Sequence, residues 1–598
     1  MYTGVYTMST SSPESIAAGD PASPPKELVP AFVSLLGRGL DSVGFWWCLC
    51  LVCAGVFAIS GRHSMNPDGL SYLDMASEAL RSGPSALLNG LWSPGYPALL
   101  SLALALFHPA PGQEFPLVHL VNFCIFVITL RAFHFFLRRW LSYSDTLRST
   151  GEREKKDVVA FAYFTFLWFT LEYVDLGVVG PDLCTAAIVF LVAGIVCRLA
   201  LPGAGGKHYV ALGLVGGLGY YFKAPLLPLG LVLLGSLLLY PPSVRVSRPR
   251  LLLALSLFLL TAAPLVMLLS ERVGHLSMGE SGRLNYVWFL NNAPNSGWTG
   301  DSPAVYGSPE HPPRKLLEKP LVLEFDSPIK GTFPLWYDPA YWYAGAQVRF
   351  DLRKQIAALK GPLGEYKRIF SQTSVLFGGA LVLCLLAARE KRFSHFSLRA
   401  SWLVIWPLAA LSMYALIHVE SRYVAAFLVL LWLACYGALL ARVNRPAAMA
   451  VCATVAGTMM IPFTAHLAAG SARMLKDVVH ATPPDYQAVA AGLRDVGVKS
   501  GDRLAVVGWD TGYYAYYAHY ARVRVVAEIP AADEFWNLSA PELHAVAEHL
   551  AQIGVKALVA ENRPAHSAQA NWRDVKVVGS DRFSILPLPE PLPNDPLK

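Results

Sequence analysis

Long apolar blocks alternate with short polar connectors along most of this chain, and the alternation predicts its architecture. The apolar blocks fall at about 44–60, 116–137, 157–175, 183–200, 209–222, 224–240, 251–269, 371–388, 401–418, 424–441 and 446–469. A helix needs roughly 20 residues to cross a bilayer, and most blocks approach or reach that length; 209–222, at fourteen, is the shortest. Backbone polar groups in hydrocarbon must be satisfied within their own segment, so the blocks are expected to be helices. One further run, Pro97 to Phe107, holds only eleven residues before His108-Pro109 ends it. It is too short to cross and is expected to lie at the outer interface as an amphipathic or re-entrant helix.

After residue 470 the pattern changes. Residues 485–497 read as an amphipathic helix, 503–507 and 523–528 as strands, 540–553 as a helix and 557–560 as a strand, with more strands near 574–578 and 583–587. This βαβ-like alternation predicts a soluble exoplasmic α/β domain over 470–598. The start, residues 1–42, is rich in Ser, Pro and Ala and reads as a disordered cytoplasmic segment. It shows no small-residue cleavage site after an apolar run, so the first span is expected to stay as an anchor. Between them lies a transmembrane module, 43–469, with outer loops at 61–115 and 270–370. A loop as long as the second is usually functional. Its aromatics (Trp288, Trp298, Trp336, Tyr341, Trp342 and Tyr343) either stack on sugar rings or form an interfacial belt.

Composition supports a polytopic membrane protein. Of 598 residues, 54% are hydrophobic and 15% charged, with mean hydropathy +0.40; soluble domains carry about 25% charged residues. The net charge of +7 does not call for a nucleic-acid partner, because the cations sit in short loops between apolar blocks. Those loops orient the chain. If 97–107 does not cross, the short inner loops hold seventeen Lys and Arg, and the short outer loops hold four: Arg62, Arg81, Lys223 and Arg422. The positive-inside rule then predicts eleven spans, a cytoplasmic N-terminus and an exoplasmic C-terminus. All nine cysteines lie in apolar segments, so no disulfide framework is indicated, and Cys48, Cys50 and Cys53 read as packing residues. Gly508-Trp509-Asp510-Thr511-Gly512 follows a strand as a nucleotide loop would, but lacks both the glycine spacing and the lysine.

The predicted topology brings four connectors to one membrane face. They carry Asp68, Asp74 and Trp92 to Tyr96; Asp175, Pro181 and Asp182; Lys223-Ala224-Pro225; and His418, Glu420, Arg422 and Tyr423. Such a set suits transfer from a lipid phosphate, which needs a base for the acceptor and positive charge for the leaving phosphate. Each member also has a plainer reading. Asp68-Gly69 could be a turn, Asp74 could lie on the solvent face of the next helix, and Asp182 could cap the helix that follows. Lys223 could snorkel to headgroups and Arg422 could pair with Glu420.

The order of these features resembles the GT-C superfamily of polyprenyl-phosphate-sugar-dependent glycosyltransferases, nearest to the protein O-mannosyltransferases and aminoarabinose transferases. The matching segments are Asp68 to Tyr72 after the first span, Trp92-Ser93-Pro94-Gly95-Tyr96-Pro97, Pro181-Asp182, Lys223-Ala224-Pro225 and Ser421-Arg422-Tyr423. The resemblance covers roughly 44–440 and implies an α-helical membrane fold carrying an inverting glycosyltransferase of the bacterial inner membrane. It implies Asp68 as catalytic base and Asp182 as a second acid, with Lys223 and Arg422 on the donor phosphate. Tyr72, Asp74, Trp92, Tyr96, Glu420 and Tyr423 are the further substrate-binding candidates. The donor would be a polyprenyl-phosphate sugar and the acceptor a glycan, a lipid or a protein. Two departures, Gly69 in place of the common Glu and Leu91-Trp92-Ser93 in place of an acidic position, argue against a divalent metal, which takes several hard oxygen ligands. No cofactor is therefore expected. The rival is a flippase of lipid-linked substrates, which should place charges at mid-membrane in paired halves, and no internal repeat is found. An assembly subunit would leave the clustered charges unexplained.

Overall fold

The computed structural model describes residues 42–143, 152–243, 245–294, 297–326, 328–389, 401–440, 442–480, 484–564, 571–575 and 583–589. The predicted disorder of the N-terminal segment falls on residues outside this set, as do part of the 389–399 loop and the strand residues 576–578. Each apolar block of the sequence is helical over most of its described length, with 371–388 divided between two helices at Thr373. Among the described residues, six helices are long and apolar enough to cross a membrane: Val43–Ser60, Pro111–Tyr143, Asp182–Ala200, Arg248–Val273, Ser421–Leu440 and Pro446–Lys476. A pair bent by 68°, Leu352–Gln372 and Ser374–Arg389, would add a seventh. The remaining blocks fall on the helix Gly206–Phe222 and on the shorter apolar helices Val158–Val174, Leu226–Leu239 and Trp402–Ala415. The chain is a helical membrane protein. The 97–107 run is the helix Gly95–Phe107; its 13 residues extend about 20 Å at 1.5 Å each, short of a bilayer core.

Beyond the helices the described residues form a seven-stranded sheet, built from β1 (Arg314–Glu318), β2 (Leu321–Glu324), β3 (Arg503–Val507), β4 (Arg524–Ile529), β5 (Val555–Glu561), β6 (Arg573–Val575) and β7 (Phe583–Pro587). The order is β1-β2-β4-β3-β5-β7-β6. β3 pairs in parallel with β4 and β5, and the flanking pairs are antiparallel. The parallel centre is the βαβ alternation legible in the sequence. The edge formed by β1 and β2 is not: these strands come from the 270–370 loop, and β1 (Arg-Lys-Leu-Leu-Glu) has no polar–apolar alternation to announce it. β2 pairs with the free side of β4, satisfying backbone groups an edge strand would leave open. The long loop and the C-terminal residues therefore share one sheet.

Within that sheet Glu528 on β4 is fully buried, and neither carboxylate oxygen has a hydrogen-bond partner among the described residues. Burial pushes its carboxyl up to about 8. An acid whose folded pKa is raised binds a proton on folding, so the fold loses stability as pH rises from the ordinary carboxylate range through about 8. Glu528→Gln, which keeps the shape and removes the ionisation, should flatten that loss; thermal unfolding of wild type and variant between pH 5 and about 9 checks it.

Candidate functional site

Pro67 begins the helix Pro67–Ser82 at its first position, where a fixed φ and a missing N–H cost nothing. Asp68 therefore lies in the first helical turn, where the helix dipole favours a carboxylate. Just before it, Asn66 is tied to the backbone of Val179: Val179 N donates to Asn66 Oδ1 at 2.8 Å, and Asn66 Nδ2 donates to Val179 O at 3.2 Å. This pair holds the 175–181 connector against the start of the helix. Gly69 lies under the same connector, and a Cβ there would stand 2.6 Å from Val179 Cβ and 2.8 Å from Met65 Sδ. That contact is why glycine follows Asp68 where the family resemblance leads one to expect glutamate. Gly69→Ala should displace the connector, cost about 1–3 kcal/mol by overpacking and lower the apparent melting temperature in a thermal-shift assay.

A cavity of about 770 Å³ opens beside Asp68. One wall is cationic. Lys223, ending the helix Gly206–Phe222, forms an ion pair with Asp182 Oδ1 and places Nζ 3.7 Å above the Tyr423 ring. Arg422, in the first turn of Ser421–Leu440, reaches Glu420 Oε2 at 2.5 Å, Asp68 Oδ2 at 3.4 Å and Asp182 Oδ2 at 3.7 Å. A second wall is aromatic and includes Trp92, Trp288, Trp336, Trp509 and Tyr513. Trp336 Nε1 donates to Asp68 Oδ1 at 3.3 Å. Asp68 thus stands where the two walls meet, with one oxygen on each.

Burial raises the Asp68 carboxyl above its ordinary value, against the opposing pull of Arg422. Burial likewise lowers the Lys223 ammonium, against Asp182. Burial alone would raise Glu420 too, but the His418 hydrogen bond and the Arg422 guanidinium hold it at about 2. A carboxylate moved upward in a cleft beside a fixed cation has the character of a general base.

Eight of the ten sequence candidates line this cavity: Asp68, Tyr72, Trp92, Asp182, Lys223, Glu420, Arg422 and Tyr423. Asp182 falls inside its helix with no side-chain capping bond, and its carboxylate goes to Lys223 and Arg422 instead. Lys223 points at Asp182 rather than snorkelling to headgroups. Two candidates lie elsewhere. Asp74, six residues beyond Asp68 and so on a different face of the helix, is buried and accepts from Thr332 N at 2.6 Å, Thr332 Oγ1 at 3.0 Å and His519 Nδ1 at 2.9 Å. It faces neither solvent nor the cavity. Tyr96 is fully buried behind Tyr72, the two rings edge-to-face with centroids 5.3 Å apart, and its O–H donates to Asn122 Oδ1 at 2.7 Å. Both residues support the wall from behind.

Several lining residues were not anticipated. Trp509 and Tyr513 enter from the sheet, at the turn set aside as a nucleotide loop; Gly508, at φ +84°, turns the chain out of β3 to deliver them. Their legible signal was a strand–glycine–helix junction, not a fingerprint. Glu172 and its neighbours line the cavity from a π-helical turn, Phe169–Val174, a distortion frequent at functional sites. Of the six loop aromatics, Trp288 and Trp336 reach the cavity, Trp298, Trp342 and Tyr343 are buried in packing, and Tyr341 stacks on His311 at 4.1 Å. Among the described residues no three His, Cys, Asp or Glu side chains gather as a cation site. Asp68 and Asp182 are already compensated by Arg422 and Lys223, a donor set that fits an anion better than a divalent cation.

No family model matches the chain, and no curated protein sequence does. Solved structures do. ArnT from Cupriavidus metallidurans bound to undecaprenyl phosphate aligns over 91% of this chain and 98% of its own, with TM-score 0.51 and 14% identity. Its apo state gives the same coverage and identity at TM-score 0.49. The oligosaccharyltransferase of Archaeoglobus fulgidus tethered to an acceptor peptide aligns over 86% of this chain and 69% of its own, at TM-score 0.44 and 12% identity. The ArnT complex establishes a shared fold: this chain has the architecture of an aminoarabinose-transferase structure, the fold that the sequence resemblance implied.

Proposed function

We propose, from a fold shared with an undecaprenyl-phosphate-binding ArnT, that this protein is a membrane glycosyltransferase taking a sugar from a polyprenyl phosphate. The observation that carries the reading is Asp68 at the junction of a cationic and an aromatic wall. Arg422 and Lys223 hold the donor phosphate at the ends of apolar helices, where a lipid tail can remain in hydrocarbon. The acceptor hydroxyl or amine gives its proton to Asp68 and attacks the anomeric carbon. The carbon–oxygen bond to phosphate breaks, the anomeric centre inverts, and polyprenyl phosphate leaves with its charge neutralised by the two cations. Asp182 keeps Lys223 and Arg422 in place for that role.

Eleven crossings, with the cavity at the outer face of a bacterial inner membrane and the sheet outside it, are the topology we assign. The support is the charge bias of the short loops and the position of the cavity residues at helix ends. No divalent metal is needed on this account, because the site's cations are protein side chains. Binding of undecaprenyl phosphate to protein in nanodiscs tests the donor assignment. Arg422→Met and Lys223→Met should each weaken it by about tenfold or more, the scale of a lost charge-assisted contact, and EDTA should leave it unchanged. Equal binding by both variants would remove the cationic wall from donor recognition.

A further inference from the structure

We propose that Trp336, Trp509 and Tyr513 form a subsite for a sugar ring of the acceptor, so that the acceptor is a glycan. This deepens the transferase reading and rests on it for the word acceptor; the stacking site itself rests on geometry alone.

Three observations carry it. Trp509 and Tyr513 follow the C-terminal end of β3, which has β4 on one side and β5 on the other. The chain runs from β3 to β4 and then crosses to β5, so this is the point where strand order reverses, and open parallel sheets bind ligands in the crevice there. Second, the rings make a corner. Trp509 and Tyr513 stack with centroids 5.3 Å apart and planes 24° from parallel, and Trp336 stands edge-on to both at 6.4 and 5.0 Å. All three are only partly buried, and all three border the cavity. Third, the corner leads to the base: the Trp336 ring that closes it donates its N–H to Asp68.

The chemistry of that corner selects its occupant. One face of a pyranose or furanose ring is lined by C–H groups and packs on an aromatic plane, while hydroxyls project from its edge. A ring laid on Trp509 and Tyr513 would turn an edge hydroxyl towards Asp68, the group assigned to deprotonate it. A hydroxyl-bearing peptide would instead ask for backbone partners, and this part of the wall consists of indole and phenol rings.

Saturation-transfer NMR on the full-length protein in nanodiscs tests the proposal. The probes are soluble tetrasaccharides of hexoses and of pentoses, with a hydroxyl-rich tetrapeptide alongside. The wild type should bind at least one saccharide, Trp509→Ala should weaken it at least about tenfold, as for an aromatic anchor in a binding pocket, and Trp509→Phe should retain most of it. Tyr513→Ala, which leaves Trp509 in place, should weaken it to a smaller extent. No saccharide bound by the wild type, binding of the peptide alone, or equal saccharide binding by Trp509→Ala would overturn the subsite. Undecaprenyl phosphate titrated in parallel separates this from the donor assignment: Trp509→Ala should bind it as the wild type does, and failure of the wild type to bind it would refute the donor reading without touching the saccharide result.

Discussion

Asp68→Asn should lower sugar transfer by about 10²-fold or more, the usual contribution of a positioned general base, while the protein still accumulates in the membrane. The asparagine keeps an oxygen for the Trp336 N–H and loses only the proton-accepting charge. Arg422 is not stranded by the change, since Glu420 and Asp182 both remain within reach. The pH profile distinguishes a catalytic from a positional role. Burial raises the Asp68 carboxyl above its ordinary 3.8, so wild-type turnover should be lost as pH falls through that raised value. In the variant the residual activity should lack this acid limb. Measured rates at saturating donor, with protein amounts matched by blotting, check both parts.

His519→Ala should destabilise the join between the sheet and the helices by about 3–5 kcal/mol, the scale for stripping one partner from a buried charge pair. His519 lies between Asp74, 2.9 Å from Nδ1, and Glu114, 2.8 Å from Nε2, and all three side chains are buried. Arg522 pairs with the other oxygen of Glu114 at 2.5 Å, and Thr332 donates twice to Asp74. The network thus fastens the sheet's helix Tyr516–Ala521 to the Asp68 helix, to the start of Glu114–Tyr143 and to the long loop. Burial alone would lower the His519 pKa, but its two carboxylate partners carry it up to about 9. With a folded value raised above the ordinary 6.5, its contribution is complete below about 6.5 and disappears as pH rises through about 9. Limited proteolysis of the sheet region across that range should show rising susceptibility in the wild type. His519→Ala should be susceptible throughout.

The helices were legible because a lipid-facing segment must satisfy its backbone internally and carries its apolar character in one uninterrupted run. The parallel centre of the sheet was legible for a related reason: β3, β4 and β5 are short apolar runs, with an amphipathic helix before β3 and another between β4 and β5. Eight cavity residues could be gathered from four connectors because loop charge sorted those connectors onto one face. What stayed hidden depends on partners distant in sequence. The role of Asp74 is set by Thr332 and His519, 258 and 445 residues away, and nothing near Asp74 distinguishes it from a solvent-facing acid. β1 and β2 are strands because β4 offers them an edge, not because of their own pattern. Trp509 reaches the cavity because the sheet places the end of β3 above Asp68, which no local motif encodes.

The central claim is transfer of a sugar from a polyprenyl phosphate. Its most direct test is purified wild-type protein in liposomes, supplied with a panel of radiolabelled undecaprenyl-phosphate sugars and a mixed oligosaccharide acceptor. Label should pass from lipid to the water-soluble fraction for at least one donor, and Asp68→Asn should abolish nearly all of it. No transfer from any donor, with labelled lipid appearing instead on the opposite leaflet, would contradict the transferase account and identify a carrier of lipid-linked sugars.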